Sequence, residues 1–190
     1  MTDVGFLTTV PLFRGLSEGV LRELASRLRE RRYRAGEAVF HQDDPGGQLY
    51  LISAGQVRIT MTSADGRERD VALLNAGDYF GEMSVLDDSP RSATARVTAE
   101  VHAFVLDRAG FHAFLIANPE VAFHLAISLA KRLRHADEML ADATFLDVPR
   151  RVAKSIAHLA RTVGRPLGAQ IQGPVDQDGL ARLVGATRET

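Results

Sequence analysis

Between Ala38 and Asp107 the chain is a succession of short runs rich in Val, Ile, Thr, Phe and Tyr, each closed by residues that turn a backbone. The runs are "AVFHQ", "QLYLISAG", "QVRITMTSADGRERDVALLNAGD" and "TARVTAEVHAFVLD". The turn signals are Asp44-Pro45-Gly46-Gly47, Ala54-Gly55, Asp65-Gly66 and Asn75-Ala76-Gly77-Asp78. Asp-Gly between two alternating segments predicts a tight hairpin. No long helical period intervenes, so these segments have only each other to pair with. The expectation is an antiparallel sandwich or barrel of jelly-roll type.

Helical periods flank this region. Ser17 is a candidate N-cap, and Leu21, Leu24, Ala25 and Leu28 recur on one face, which predicts a helix over 17–31. The helical period returns near Arg108 and persists. From there Leu129, Leu133, Ala136, Leu140 and Ala143 step by four, three, four and three, a heptad seam with small residues where two helices approach. That seam predicts a parallel helix pair and a homodimer; the alternative is a core helix packing on its own sandwich. Asp147-Val148-Pro149 interrupts the helix, since proline lacks a donor and restrains its predecessor, and a hinge is expected there. Beyond it "RRVAKSIAHLARTVG" places Val152, Ile156, Leu159 and Ala160 on one face. "VDQDGLARLVGATRET" then offers Asp176 as a cap, Gly185 as a C-terminal turn residue and Thr187 as a second cap. This is the plan of a helix-turn-helix, whose second helix enters the major groove of DNA.

Composition removes much chemistry. Hydrophobic residues make up 45% and charged residues 25%, as in a globular protein. The absence of cysteine excludes disulfides, thiolate metal sites and cysteine nucleophiles. The six histidines form no His-x-His or His-x-x-x-His pair, there is no Gly-x-Ser-x-Gly elbow, and Ser84, Ser89 and Ser92 have no adjacent His–acid partner. No metal and no catalysis are expected. No apolar run approaches the roughly 20 residues of a membrane span, and the N-terminus lacks the basic start of a signal peptide, so a cytoplasmic protein is expected. The net charge of −1 is uneven: from Pro149 onward seven bases face three acids, net +4, against −5 for the rest. A basic tail suits a polyanion partner; scattered solvated charge is the plainer reading.

The stretch "FGEMSVLDDSPRSATARV" carries the candidate site. Gly77 and Gly81 allow close backbone approach, and Glu82, Met83 and Ser84 open a segment able to make one helical turn whose amides face an anion. Arg91 offers a planar fork of donors suited to phosphate, and Ser92 adds a hydroxyl. Glu82 only accepts, so it suits a sugar hydroxyl. A ligand with a phosphate and a nearby hydroxyl satisfies both ends, whereas a simple Glu82–Arg91 surface pair would contribute little.

"FGEMSVLDDSPRSATA" resembles the phosphate-binding cassette of cyclic-nucleotide-binding domains. With "FLDVPRRVAK" and "LARLVGATRET" the chain resembles the cyclic-AMP receptor protein / fumarate-nitrate regulator family of bacterial transcription factors over residues 5–190. The resemblance implies an α+β chain: a jelly-roll cyclic-nucleotide domain at 1–117, a dimerisation helix and hinge at 118–147, and a winged helix-turn-helix domain at 148–190, incomplete here. It implies that Gly81 and Glu82 hold the ribose 2′-hydroxyl, Arg91 and Ser92 the cyclic phosphate, and that Arg132 braces Glu82. It places Gln177, Thr187, Arg188, Glu189 and Thr190 toward double-stranded DNA with a pseudo-palindromic operator, Arg188 and Glu189 reading guanine and cytosine edges. RNA polymerase is a further implied partner, and cyclic AMP, or another cyclic nucleotide, the implied effector.

Two departures stand out. Where cyclic-AMP-responsive members present Thr followed by Ser or Asn to the adenine, this chain has Ala136 and Asp137. Alanine cannot hydrogen-bond through its side chain, while Asp137 accepts from an exocyclic amine, or bidentately from guanine. Phosphate and ribose recognition is expected to be kept, with base preference altered or weakened. The sequence also stops within the first turn of the recognition helix, so these residues alone are expected to bind DNA poorly. A regulator that needs no effector, and a cyclic-nucleotide module acting on a protein partner, are the alternatives.

Overall fold

A computed structural model describes residues 4–162. After a short helix α1 (Val4–Thr9) and a 3-10 turn (Pro11–Phe13), helix α2 runs Glu18–Arg27. Ser17 caps α2 as expected, its hydroxyl accepting from the Val20 amide at 3.5 Å. The helix is shorter than the predicted 17–31. Leu28 is already extended, and Arg29–Tyr33 forms strand β1, paired antiparallel with Val101–Val105. Sheet pairing outweighs the continuing helical pattern, because it satisfies every second backbone group of a segment that an isolated helix would hold only weakly.

The remaining strands are β2 (Ala38–Phe40), β3 (Gln48–Thr62), β4 (Glu68–Asn75), β5 (Tyr79–Phe80) and β6 (Thr94–Asp107). They make one six-stranded sheet of order β1-β6-β3-β4, with β2 on β6 and β5 on β3. The Asp65-Gly66 hairpin forms where predicted, closed by Ser63 N–H to Arg67 O at 2.9 Å. Asn75–Asp78 also turns as predicted: the Asp78 carboxylate accepts from the Asn75 amide at 2.8 Å.

Ala54-Gly55 is not the turn its composition suggests. β3 continues through it for 15 residues, and the pairing with β6 slips between Ile52 and Val57. Gly55 sits at φ +90°, and a Cβ there would lie 2.0 Å from Glu100 O. The glycine marks a bulge that bends two long strands together.

"LYLI" in β3 reads as a continuous apolar run because both faces of the strand are buried. Leu49 and Leu51 point into a core with Leu7, Leu12, Phe13, Leu24, Leu106, Phe111 and Phe114. Tyr50 and Ile52 point the other way, into a second core with Val57, Phe80, Val97, Val101 and Val105. Each fully buried Leu or Phe contributes about 1.5–3 kcal/mol. Helix α3 (Glu82–Leu86) follows β5, and α4 (Arg108–Ala117) follows β6, capped by the Asp107 carboxylate, which accepts from Gly110 N at 2.8 Å.

Helix α5 spans Pro119–Phe145 and α6 Val148–Thr162. The break falls at Leu146-Asp147, as the proline predicted. Asp147 accepts from the Arg150 amide at 3.0 Å, and Pro149 occupies the first turn, where its missing donor is harmless. The described residues separate into two compact units, 4–62 with 71–130, and 63–70 with 131–162. Within the second, Lys154 and Asp142 pair at 2.7 Å. Among the described residues no single helix is long and apolar enough to cross a membrane, and no three His, Asp or Glu side chains converge.

Candidate phosphate-binding cassette

Gly81 sets the geometry. It stands at φ +83° as the residue before α3, and a Cβ there would lie 2.7 Å from Arg91 Nη1 and 2.8 Å from Gln48 O. Only glycine meets both the conformation and the space. The chain then enters α3 with Glu82 pointing inward, 2% exposed, and Ser84 equally buried.

Arg91 is the centre of the site. It is 4% exposed and lies in the same unit as Glu82. Its backbone is fixed by a reciprocal pair, Arg91 N–H to Asp44 O and Asp43 N–H to Arg91 O, both 2.9 Å. Nη1 donates to Gly81 O at 3.0 Å and to Ser84 Oγ at 2.8 Å; Nη2 donates to Gln48 O at 3.0 Å. The guanidinium carbon lies 4.1 Å from the Phe40 ring centroid, a cation–π contact in a dry setting. Phe40, Tyr50 and Phe80 pack as an aromatic wall, the last two stacked at 4.9 Å. Burial draws the Arg91 pKa below its usual value, while Tyr50, Glu82 and Asp44 oppose it. The Tyr50 phenol is pushed up by burial and donates to Gln48 Oε1 at 2.8 Å.

A guanidinium has five N–H donors. Three are used above, which leaves Nε–H and one Nη2–H, adjacent donors of the fork. Nε is buried without a hydrogen-bond partner among the described residues. A cavity of about 430 Å³ is lined by Arg91 together with Phe40, Asp44, Gln48, Tyr50 and Asp107, among others.

The structure thus brings Gly81, Glu82, Ser84 and Arg91 together. Ser92 and Met83 lie outside, Met83 half exposed, with the Ser92 hydroxyl 3.7 Å from its sulfur. Arg132 and Asp137 are exposed on the part of α5 that belongs to the second unit. Leu129 is half-buried against the helical core; Leu133 and Leu140 are 63% and 68% exposed, and Ala136 and Ala143 are exposed. Gln177, Thr187, Arg188, Glu189 and Thr190 lie outside the described residues, as does the predicted helix-turn-helix. Sequence reasoning missed Gln48, which serves through its carbonyl oxygen and leaves no side-chain signature, and Phe40, an ordinary strand residue until Arg91 folds over it.

A model of the cyclic nucleotide-binding domain family matches residues 30–118. The chain is 36% identical over 186 residues to the CRP-like cAMP-activated global transcriptional regulator of Mycobacterium tuberculosis, covering 97% of this chain and 83% of that protein. The crystal structure of the Thermus thermophilus catabolite activator protein superposes with a TM-score of 0.67 at 37% identity, covering 94% of this chain and 82% of that one. A c-di-GMP-responsive global regulator of Xanthomonas campestris shares the fold, with a TM-score of 0.77 at 24% identity over 91% of this chain and 87% of that one. With a relative of this identity aligned along nearly its whole length, the chain belongs to the cyclic-AMP receptor protein family of bacterial transcriptional regulators, and its relatives named here are regulators, not enzymes.

Proposed function

We propose that the chain is a transcriptional regulator controlled by a cyclic nucleotide bound at the Glu82–Arg91 site, with cyclic AMP the favoured effector. The observation that carries this is the buried Arg91, anchored by three of its donors and left with an adjacent pair, one of them the buried Nε, while an equally buried carboxylate stands in the same fold unit. An arginine held this way is preorganised for a phosphate rather than sequestered. Glu82 takes the ribose hydroxyl, and Ser92 supplements the phosphate contact from the surface. On α5, Arg132 is the candidate for supporting the ribose contact and Asp137 the candidate for base recognition.

The same reading makes residues 1–117 the effector domain, 118–147 the dimer helix and 148–190 the DNA-binding domain. The exposed Leu133 and Leu140 suit a second copy of α5. Effector works by population shift: it favours the dimer arrangement that spaces two recognition helices for a pseudo-palindromic operator, and it does so only through unequal affinity for the two states. Gln177, Thr187, Arg188, Glu189 and Thr190 face the DNA, and RNA polymerase is the further partner.

Calorimetric titration of the purified chain tests the effector. Saturable heat with cyclic AMP, or with cyclic GMP if Asp137 has redirected base choice, is the expected result. Heat from neither at millimolar ligand would leave a regulator without this effector. Dimerisation is tested by sedimentation: Leu133→Glu with Leu140→Glu places two charges from each chain in the seam and is expected to give a monomer. A double variant that sediments as the wild type does removes the α5 seam from the dimer.

A further inference from the structure

Helix α3 has five residues, so most of its carbonyls have no partner inside it. Two of them are taken by one face of α4. Arg108 Nη2 donates to Ser84 O at 2.6 Å, and His112, one turn on, places Nε2 2.8 Å from Val85 O. A carbonyl can only accept, so His112 Nε2 carries the proton. Arg108 Nη1 also meets the carboxylate of Asp88, which stands just past the end of α3 at φ +61°, a left-handed conformation that aspartate adopts readily at a helix end. The Arg108 amide donates to Gly47 O at 2.9 Å, and Gly46 packs so closely that a Cβ there would lie 2.2 Å from the Ser84 Cβ. Ser84 is therefore bracketed by two arginines: its hydroxyl accepts from Arg91 and its carbonyl from Arg108.

We propose that Arg108 and His112 are positioning residues for the effector: bonded to the C-terminal end of α3, they fix where Glu82 and Ser84 stand when a cyclic nucleotide enters. The inference rests on the cyclic-nucleotide reading above. The physical reason is leverage. At its N-terminal end α3 is attached through Gly81, the one residue of the cassette with a glycine's freedom to rotate. Arg91 ties down Gly81 O and Ser84 Oγ, and Val85 is seated in the core, so the C-terminal carbonyls are the part of α3 that Arg108 and His112 hold. With those two bonds gone the helix can tilt, and the Glu82 carboxylate with it. A displacement near 1 Å is enough to weaken a directional hydrogen bond. Neither residue needs to touch the ligand.

The test compares cyclic AMP and cyclic GMP titrations of the wild-type chain with those of Arg108→Ala, Arg108→Lys, His112→Phe and His112→Gln, with thermal unfolding followed in parallel. Arg108→Ala and His112→Phe are expected to lower affinity on the order of tenfold, the equivalent of one charge-assisted or neutral hydrogen bond. His112→Gln is expected to recover the wild-type affinity, because its amide nitrogen donates from near the position of Nε2, and Arg108→Lys to recover part. A role in stability alone would move the unfolding midpoint of Phe and Gln variants without separating their affinities. Should Arg108→Ala fail to fold, the His112 pair decides. Wild-type binding with all variants within about twofold overturns the positioning role and leaves the effector reading intact. A wild type that binds neither nucleotide overturns both.

Discussion

Arg91→Ala is expected to weaken cyclic-nucleotide binding roughly 10- to 150-fold, since a hydrogen bond to a charged group contributes about 1.5–3 kcal/mol and each 1.4 kcal/mol is tenfold. It should also destabilise the free protein. Gly81 O, Ser84 Oγ and Gln48 O all accept from this guanidinium, and its plane covers the Phe40 ring. Leaving buried acceptors unmatched costs about 1–3 kcal/mol each, reduced where water enters the adjoining cavity, so a net loss of about 2–4 kcal/mol is expected from urea unfolding. Arg91→Lys separates the two effects. Its ammonium restores charge, and with it part of the stability, but cannot reproduce a planar fork serving three protein acceptors and a phosphate together. Affinity should therefore stay low in the lysine variant while the unfolding midpoint recovers. Unchanged affinity in both variants would remove Arg91 from the ligand site.

The second large effect lies away from the cassette. Gly55→Ala is expected to destabilise the chain by about 3–5 kcal/mol, near the upper end for a single substitution. A left-handed conformation costs an L-residue about 1–2 kcal/mol. The larger part is steric, because the added Cβ meets Glu100 O at 2.0 Å, Glu100 C at 2.7 Å and Val101 Cα at 2.8 Å, all backbone atoms that cannot rotate aside. β3 and β6 must part locally to admit it. Gly66→Ala is the control: it has φ +80° with nothing within 4 Å of the new atom, and should cost only the conformational share. Equal losses in the two variants would show that the bulge tolerates a side chain and that the close approach to β6 is not what demands glycine.

Most of the strands between Ala38 and Asp107 were legible because their β-rich runs and turn residues agree, and the grouping of Gly81, Glu82 and Arg91 because glycine, acid and arginine stand at a spacing that suits one ligand with a phosphate and a hydroxyl. What escaped the sequence was decided by distant partners. Arg29–Tyr33 carries a pattern compatible with the end of a helix, and only the pairing of those residues with Val101–Val105 makes them a strand. Ala54-Gly55 has the composition of a turn; the need for a bend in a strand buried on both sides makes it a bulge. Arg108 and His112 sit one turn apart on an apolar helix, where a basic side chain looks like ordinary surface charge until α3 is brought against it. The inward fold of Arg91 was likewise invisible, since its acceptors include two main-chain carbonyls from separate segments.

In β3, Tyr50 and Leu51 are neighbours in the chain yet serve opposite interiors, one beside the cassette and the other among the helices. The strand is thus a party wall between two rooms. A substitution that leaves a void on the helical side pulls on the same peptide units that support the aromatic floor beneath Arg91. Damage remote from the cassette should therefore reach it without any chain of polar contacts to carry the message.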